Sequence, residues 1–543
     1  MSAASAAAAA PAAAERRLPA WWPLAALLVL AAALRFSTLG LQSFWYDEAY
    51  TPVHVLHTSL SATLRAMVHS ENTPPLWYVV EWLDYRLLGS GEFALRLPSA
   101  LAGVATVAVA WAIGHELAGR GAAIVTAALV AVNPLFVWYS QEARAYGLFV
   151  LTAGLALLCF LRAERRPTDT DRRSTDQRST DRRSASMAAF AASGVLALLS
   201  HYFAVFLLIP MVLWLLGGRA TRRAALPAAG ALLIAGLALV PLISAQGGHG
   251  TQWIGRWPIA ERLEAIPQYF LTGYSAAPLG HGVELLVGLV VLAGAGLGVW
   301  RLLDHPPSVL AVEGAEDNAR RHRLLMVLSI AACGVLIPVV LAAFGADYLA
   351  PRNLVGAMIP VTALIAALLV WPGTGRAGIA LAAILVLAFL VLSLDVDLSP
   401  RLQRGNWRGV AKLLRGGGAR AITTVELGGA PLEYYLHPLR NLPRGSAVVV
   451  AEIDETGYAP LRPSAGSPPA PGFRLLERRD VDGLIVYRFI SPQPRSVSEA
   501  ALRRHVITRA HPEVLVPPRL LMSSGGAPAS AEVVQMSSLT KKI

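Results

Sequence analysis

Long apolar stretches separated by short polar loops fill most of residues 21–394. Most of them approach the roughly 20 residues that an α-helix needs to cross a bilayer core. The pattern predicts eleven membrane spans, although the two stretches around Ser200-His201-Tyr202 could also form one long broken helix. The predicted spans are 21–36, 97–114, 122–138, 146–161, 186–200, 202–217, 226–244, 282–301, 324–344, 354–371 and 377–394.

The loop between the first two spans carries a helical pattern of its own. Two sets of apolar residues recur at steps of three and four positions, which predicts two amphipathic helices. The sets are Val53, Leu56, Leu60, Leu64 and Met67, and Leu76, Val80, Leu83 and Leu87. Both stretches also carry charged residues, so we expect them to lie on the membrane surface rather than to cross it.

The pattern changes after residue 394, where short alternating segments predict a small soluble α/β domain over 395–490. A helix is predicted over 407–414 and strands over 421–427, 447–453 and 484–490. Asp482-Gly483 is typical of a hairpin turn between 473–477 and 484–490. We expect a disordered N-terminus over 1–20, a disordered loop over 162–185, where Ser-Thr-Asp-x-Arg repeats, and a poorly ordered tail over 491–543.

Composition and charge support a membrane protein and give it an orientation. The chain is 55% hydrophobic and 15% charged, against about 25% charged residues in an average soluble domain. The net charge of +12 does not indicate nucleic-acid binding, because the arginines lie between apolar stretches. With a cytoplasmic N-terminus, 19 arginines fall in inner segments and 8 in outer loops. The positive-inside rule therefore places the C-terminal domain outside the cell membrane.

The first outer loop holds the most distinctive candidate chemistry, Phe44-Trp45-Tyr46-Asp47-Glu48. Two interpretations are open from these residues alone. Aromatic residues are common at the membrane interface, and two acids suit the first turn of a helix. Alternatively, an acid partly shielded by aromatic rings could serve as a general base. Adjacent helical residues point about 100° apart, so only one of the two acids would face a reacting hydroxyl.

Several further segments, together with Asp47-Glu48, resemble bacterial family-39 membrane glycosyltransferases of the GT-C class. That class includes protein O-mannosyltransferases and lipid A aminoarabinose transferases. The resemblance covers roughly residues 20–400. The segments that carry it are Glu71-Asn72-Thr73-Pro74-Pro75-Leu76-Trp77-Tyr78, Glu92-Phe93-Ala94-Leu95-Arg96-Leu97-Pro98-Ser99, Asn133-Pro134, Ser140-Gln141-Glu142-Ala143-Arg144-Ala145-Tyr146 and His201-Tyr202-Phe203.

The resemblance implies an all-α polytopic GT-C domain, a polyprenyl-phosphate sugar donor and basic residues that bind its phosphate. Asp47 matches the catalytic acid of the family, with Glu48 beside it. Arg144, with Tyr146 in the same motif, and Arg352 match the donor phosphate-binding positions, but Asn353 stands where the family has Tyr. The acid that aminoarabinose transferases link to a metal could correspond to Glu71 or Asn72, so a divalent metal stays an open possibility.

The remaining polar residues of the outer loops are weaker candidates. His69 and His201 could orient an acceptor or an ion, with Glu71 and Asn72, but a histidine in such a place is more often a packing or interface residue than a ligand. Aromatic residues over 245–281, Trp253 and Trp257 among them, suit sugar stacking and also an interfacial belt.

The prediction that follows is an integral membrane glycosyltransferase acting on the extracytoplasmic side. Asp47 would take a proton from an acceptor hydroxyl in one inverting displacement, with a protein, lipid or polysaccharide as acceptor. A transporter or flippase of lipid-linked sugars is the alternative, and it would be expected to carry charges mid-span and repeated halves. A sensor or scaffold whose tail binds glycan is a third possibility.

Overall fold

The computed structural model describes residues 21–165, 176–273, 279–304, 312–416, 419–425, 428–505, 507–508 and 512–522. A helical domain precedes a C-terminal sheet domain. The helices of the first domain are α1 (Trp22–Phe36), α2 (Tyr46–Tyr50), α3 (Leu60–Ser70), α4 (Leu76–Leu88), α5 (Glu92–Val132), α6 (Pro134–Ser140), α7 (Tyr146–Glu164), α8 (Asp176–Ser200), α9 (Ala204–Gly217), α10 (Arg222–Gln246), α11 (Gln252–Arg256), α12 (Ile259–Thr272), α13 (His281–Asp304), α14 (Val312–Ala343), α15 (Met358–Leu369) and α16 (Gly375–Leu398).

The described residues include 8 helices that are long and apolar enough to cross a membrane. One of them, α5, is two helices joined at Ala118–Gly119, where Gly119 has a φ of +82°. Two shorter apolar helices, α1 and α9, complete the set. Together these helices account for each of the eleven predicted spans, and the predicted all-α polytopic membrane domain with a small C-terminal α/β domain is confirmed.

Some predicted boundaries differ from the structure for identifiable reasons. The span predicted over 122–138 ends at Val132, because the Asn133 side chain accepts hydrogen bonds from the backbone N–H of Leu135 and Phe136 and starts α6. The stretches on either side of His201 are two helices, α8 and α9.

The loop predicted to be disordered over 162–185 is helical at both of its described ends. Helix α7 continues to Glu164 and α8 begins at Asp176. Arg183 holds the second end by donating to the carbonyl oxygens of Arg165 and Ala220. Residues 166–175 and the N-terminal segment 1–20 lie outside the described residues.

The first loop forms three short helices instead of the two predicted. The helix predicted over 53–67 is interrupted, because a π-helical turn over Thr51–Val55 ends before Ser59 caps α3. Helix α4 buries Trp77, Tyr78 and Glu81, while its stripe of Leu83 and Leu87 is exposed. This is the arrangement expected of a helix that lies on a membrane with its leucines toward lipid.

The C-terminal domain is one six-stranded sheet packed with short helices. Its elements are α17 (Trp407–Leu414), β1 (Arg420–Val425), α18 (Gly429–Leu436), β2 (Arg440–Asn441), β3 (Ala447–Tyr458), β4 (Arg474–Val481), β5 (Leu484–Ser498), α19 (Glu499–Arg504), β6 (Pro512–Val516) and α20 (Pro518–Met522). The strand order is β2-β6-β1-β3-β5-β4, with β1 and β3 parallel and the other pairs antiparallel. Asp482 and Gly483 form the predicted turn, both with positive φ.

The domain extends well past the predicted limit at residue 490. The prediction of a poorly ordered tail from 491 differs from the structure as far as residue 522. Strand β5 continues to Ser498, and β6 inserts between β1 and β2. Sequence reasoning missed β6 because its partners are the distant strands β1 and β2. Residues 523–543 lie outside the described part of the chain.

The sheet domain is fastened to the first loop of the helical domain. Tyr435 donates a hydrogen bond to Glu92 and accepts one from the backbone N–H of Phe44. Tyr434 donates to the carbonyl oxygen of Ser90 at 2.6 Å, and Arg408 pairs with Glu92. The face that carries residues 37–91 and the sheet domain is called the loop face below.

Candidate active site

Asp47 lies on the short helix α2 at the loop face, where its carboxylate is held by an arginine from far along the chain. Nη1 of Arg352 donates to Oδ2 of Asp47 at 2.9 Å. The side chain of Asp47 is 18% exposed and that of Arg352 is 21% exposed, so the pair is partly open to solvent. Arg352 stands on the irregular 3₁₀ segment Pro351–Ala357, and the ion pair between Arg262 and Asp347 ties α12 to the chain just before it, with contacts of 2.6 and 2.8 Å.

A second ion pair lies beside the first and is more buried. Nη1 of Arg144 lies 3.2 Å from Oε2 of Glu71 and also donates to the backbone carbonyl of Asp47 at 3.3 Å. Burial lowers the pKa of Arg144, but Glu71 and neighbouring anions outweigh it and raise that pKa well above its ordinary value. Arg144 is therefore a permanent cation one backbone contact from Asp47.

Glu48 points away from Asp47 and into the protein. Its carboxylate forms two hydrogen bonds of 2.7 Å with Arg96 and accepts a third from the backbone N–H of Ala143 at 2.9 Å. Burial raises the pKa of Glu48, but Arg96 and Arg404 outweigh it and hold that pKa below its ordinary value. Glu48 is thus a fully buried anion, without access to an acceptor, that anchors α2.

Glu142 and Arg404 complete the buried charges under α2. Nη2 of Arg404 lies 3.0 Å from Oε2 of Glu142, and its guanidinium carbon lies 4.1 Å from the centre of the Trp138 ring. Burial, opposed by Arg404, raises the pKa of Glu142 to about 7. Arg404 comes from the segment that links the membrane helices to the sheet domain.

Aromatic side chains form the floor beside these arginines. Tyr146 and Tyr139 pack together with ring centres 4.6 Å apart, and His201 stacks on Phe149 at 4.8 Å. Burial, Arg352 and Arg144 lower the pKa of His201 to about 3, so its imidazole is neutral at physiological pH. Tyr146 and His201 therefore lie near Arg352 and Arg144.

Two other predicted residues are placed differently. Asn72 donates from its side-chain amide to the carbonyl oxygen of His249 at 3.2 Å, which ties the first loop to the segment before α11. His69 lies exposed in the last turn of α3. No contact among the described residues joins His69 to the ion pairs around Asp47.

Nothing in the described side chains is arranged like a metal site. Among those residues, no three His, Cys, Asp or Glu side chains form a group that could hold a metal ion. The predicted position of an ion near Glu71 and Asn72 does not fit one either, since Glu71 pairs with Arg144 and Asn72 bonds a backbone carbonyl.

Trp253 on α11 packs against the guanidinium of Arg352. The guanidinium carbon of Arg352 lies 5.0 Å from the centre of the Trp253 ring, and Trp257 stacks on Trp253 at 6.4 Å. Trp253 is 38% exposed, so one part of the ring faces outward beside the Asp47–Arg352 pair.

The fold that carries this candidate site is similar to that of known membrane glycosyltransferases. Residues 72–245 match the family described as dolichyl-phosphate-mannose-protein mannosyltransferase. The structure of ArnT from Cupriavidus metallidurans in the apo state has a TM-score of 0.52 and 13% identity, over 86% of this chain and 97% of that one. The same protein bound to undecaprenyl phosphate also gives 0.52 and 13%, over 87% and 98%. A comparison with curated proteins gives no match.

The chain has the GT-C fold of membrane glycosyltransferases. The correspondence covers 86% of this chain, which is more residues than precede the sheet domain, so it includes part of the C-terminal region. The predicted resemblance to GT-C glycosyltransferases is therefore confirmed, and the protein is a multi-pass membrane protein.

Within this GT-C fold, the charged residues that sequence reasoning missed are those whose partners are remote. Arg404 stands 262 positions after Glu142, and no motif connects them. Glu81 is fully buried on α4, and burial raises its pKa well above its ordinary value. The amphipathic pattern of α4 could have indicated the burial of Glu81, because Glu81 lies on the same helix face as the buried Tyr78.

Proposed function

We propose that this protein transfers a sugar from a polyprenyl-phosphate donor to an acceptor hydroxyl at the extracytoplasmic surface. The observation that carries the proposal is the partly open pair of Asp47 and Arg352, with Arg144 touching the backbone of Asp47. It places one accessible carboxylate between two cations at the loop face. The GT-C fold and the family match over 72–245 support the donor class.

The reaction we propose is a single displacement with inversion. Asp47 accepts the proton of the acceptor hydroxyl while the oxygen of that hydroxyl attacks the anomeric carbon of the donor sugar. The bond from that carbon to the phosphate oxygen breaks, and the electron pair leaves with the polyprenyl phosphate. Arg352 and Arg144 stabilise the negative charge that grows on the leaving phosphate. Arg352 would have to turn from Asp47 toward the phosphate when the donor binds, which frees the carboxylate to act as base.

The supporting residues have distinct parts in this proposal. Glu48 positions α2, and Glu71 orients Arg144. Tyr146 and neutral His201 form the floor near the leaving phosphate. The acceptor is a protein, lipid or polysaccharide that reaches Asp47 from the exposed side of the loop face, beside Trp253.

The test compares Asp47→Asn with wild type in proteoliposomes, using polyprenyl-phosphate sugars as donors and envelope extracts as acceptors. Asparagine keeps the shape of the side chain but cannot take the proton, so transfer should fall by about 100-fold or more, as for loss of a general base. Glu264→Gln, an exposed change on α12, is the matched control and should leave transfer unchanged. Equal rates for Asp47→Asn and wild type would remove Asp47 as base, and movement of intact donor across the bilayer without transfer would favour a transporter.

A further inference from the structure

Beneath α2 lies a buried group of four charged side chains, called the charge cluster below: Glu48, Arg96, Glu142 and Arg404. The side chains are between 0% and 3% exposed. Two carboxylates and two guanidinium groups balance when both acids are ionised. In a buried setting such balance matters, because an uncompensated charge away from water is costly.

Arg404 contacts both acids of the charge cluster and two further residues beside it. It pairs with Glu142 at 3.0 Å, and its Nε lies 3.8 Å from Oε2 of Glu48. Its backbone N–H donates to Oε1 of Gln42 at 3.1 Å. The face of Trp138 packs against its guanidinium, so a cation of planar shape fits this place better than an ammonium.

The charge cluster is connected to both parts of the proposed site by short paths through the backbone. Glu48 follows Asp47 directly, and Glu48 also accepts the backbone N–H of Ala143, the residue before Arg144. Arg144 in turn donates to the carbonyl of Asp47. A shift of the Glu48 carboxylate would therefore move the proposed base and the proposed phosphate ligand together.

We propose that Arg404 is a positioning residue through which the segment that links the membrane helices to the sheet domain completes the active site. Arg404 neutralises Glu142 and keeps Glu48 paired with Arg96, and so fixes Asp47 and Arg144 relative to each other. This inference rests on the proposed function for its catalytic readout. It goes beyond that function in giving the linking segment a part in catalysis that requires no contact with substrate.

Arg404→Met tests the inference, because methionine keeps much of the side-chain length and removes the charge. The charge cluster would then hold two acids and one arginine, and transfer should fall by about tenfold or more, the size expected when contacting residues are coupled. Arg401→Met, in the same linking segment, is the control, since its side chain is 70% exposed. Control and wild type should transfer at the same rate.

A second substitution separates charge balance from simple packing. Arg404→Met combined with Glu142→Gln restores one acid to one arginine, and the double variant should recover to within about threefold of wild type. If Arg404 acts only by filling space against Trp138 and Gln42, the double variant will be no better than Arg404→Met. That result would overturn the inference.

The pH dependence of the single variant gives an independent readout. Glu142 faces Arg404, Glu48, Asp47 and Arg352. Protonation of Glu142 removes the unbalanced charge left by Arg404→Met, so the loss relative to wild type should be smaller at pH 6 than at pH 9. A loss that is the same at every pH contradicts the inference.

Hydrogen exchange of residues 40–50 and 140–146 keeps this test separate from the proposed function. Arg404→Met should accelerate exchange in both segments, and the double variant should reverse it. If wild type transfers no sugar but exchange follows this pattern, the proposed function fails while the coupling stands. If transfer is present and exchange in both segments is unchanged in Arg404→Met, the coupling fails alone.

Discussion

Asp47 and Glu48 are neighbours in the chain with opposite environments. Asp47 is 18% exposed and meets the guanidinium of Arg352, whereas Glu48 is fully buried between Arg96 and the backbone of Ala143. The difference follows from α2, because consecutive helical side chains point about 100° apart. One acid can therefore meet a substrate while the other holds the helix in place.

Replacing Glu48 by Gln should destabilise the protein more than it would at an exposed site. Arg96 would keep its bonds to three backbone carbonyls but lose its fully buried anion. Breaking a buried pair on one side costs about 3–5 kcal/mol. Denaturant titration in detergent measures this loss against Glu264→Gln, which should unfold like wild type. An unchanged midpoint for Glu48→Gln would show that the buried pair adds little.

His201 should make stability depend on pH in a defined window. Its pKa is lowered to about 3 from an ordinary 6.5, mainly by burial. Between these values the unfolded chain binds more protons than the folded one, so stability falls as pH decreases through the window. In wild type, His201 lowers the free energy of unfolding by up to about 1.4 kcal/mol for each pH unit of acidification in this window, and His201→Gln should lack this contribution. The free energies of unfolding of wild type and His201→Gln, measured over the window, give the difference. Parallel curves for both proteins from pH 4 to 6 would contradict the assignment.

Residues close in sequence to a distinctive motif could be predicted, and residues joined only by folding could not. The run Phe44 to Glu48 and the segment ending in Tyr146 are local patterns that mark Asp47 and Arg144 as candidates, and the family resemblance favours a chemical role over an interfacial one. The role of Arg404 depends on a contact across 262 positions. His69 looked equivalent to other polar residues of the loop, but its position in the last turn of α3 leaves it exposed.

At the scale of elements, the membrane helices pack closely where glycines face a neighbour. On α13, a Cβ at Gly298 would stand 2.5 Å from the backbone carbonyl oxygen of Leu368 at the end of α15. A single turn of this helix contains both a tight and an open position. At Gly296 a Cβ would meet nothing within 4 Å.

Alanine at these two glycines should therefore have opposite effects. Gly298→Ala forces α13 away from α15, and overpacking of this kind costs about 1–3 kcal/mol. Gly296→Ala faces open space and should be neutral or slightly stabilising, because alanine favours the helix by about 1 kcal/mol. Thermal unfolding of the two variants in one detergent checks this. Equal unfolding temperatures would mean that the two helices do not pack as described.

The pattern of apolar residues predicted which helices are present better than it predicted where each helix ends. The eleven spans follow from runs of apolar residues, which are a local property of the sequence. Their ends depend on caps such as Asn133 and on anchoring contacts such as those of Arg183. Strand β6 depends on partners from distant parts of the chain, and so the C-terminal domain was predicted to stop too early.

At the scale of the whole molecule, the loops predicted to be outside gather on the loop face. This places the site, the sheet domain and the linking segment on one side of the membrane helices. The excess of arginines on the opposite face predicts that the loop face is extracytoplasmic.

Cysteine labelling tests that orientation. With Cys159 and Cys333 replaced by Ala, a cysteine at exposed Arg478 should react with a membrane-impermeant maleimide on whole cells whose outer layers admit it. A cysteine at exposed Arg219 should react only after the cell membrane is permeabilised. The reverse pattern would place the loop face in the cytoplasm and contradict the proposed sidedness.

The most direct test of the account is the stereochemistry of transfer by the purified protein in liposomes. A polyprenyl-phosphate sugar of known anomeric configuration is supplied, and the released polyprenyl phosphate and the product anomer are measured together. The account predicts that one polyprenyl phosphate appears per sugar transferred, with the opposite anomeric configuration in the product. A product that keeps the donor configuration, or a donor that crosses the bilayer intact without release of phosphate, would contradict it.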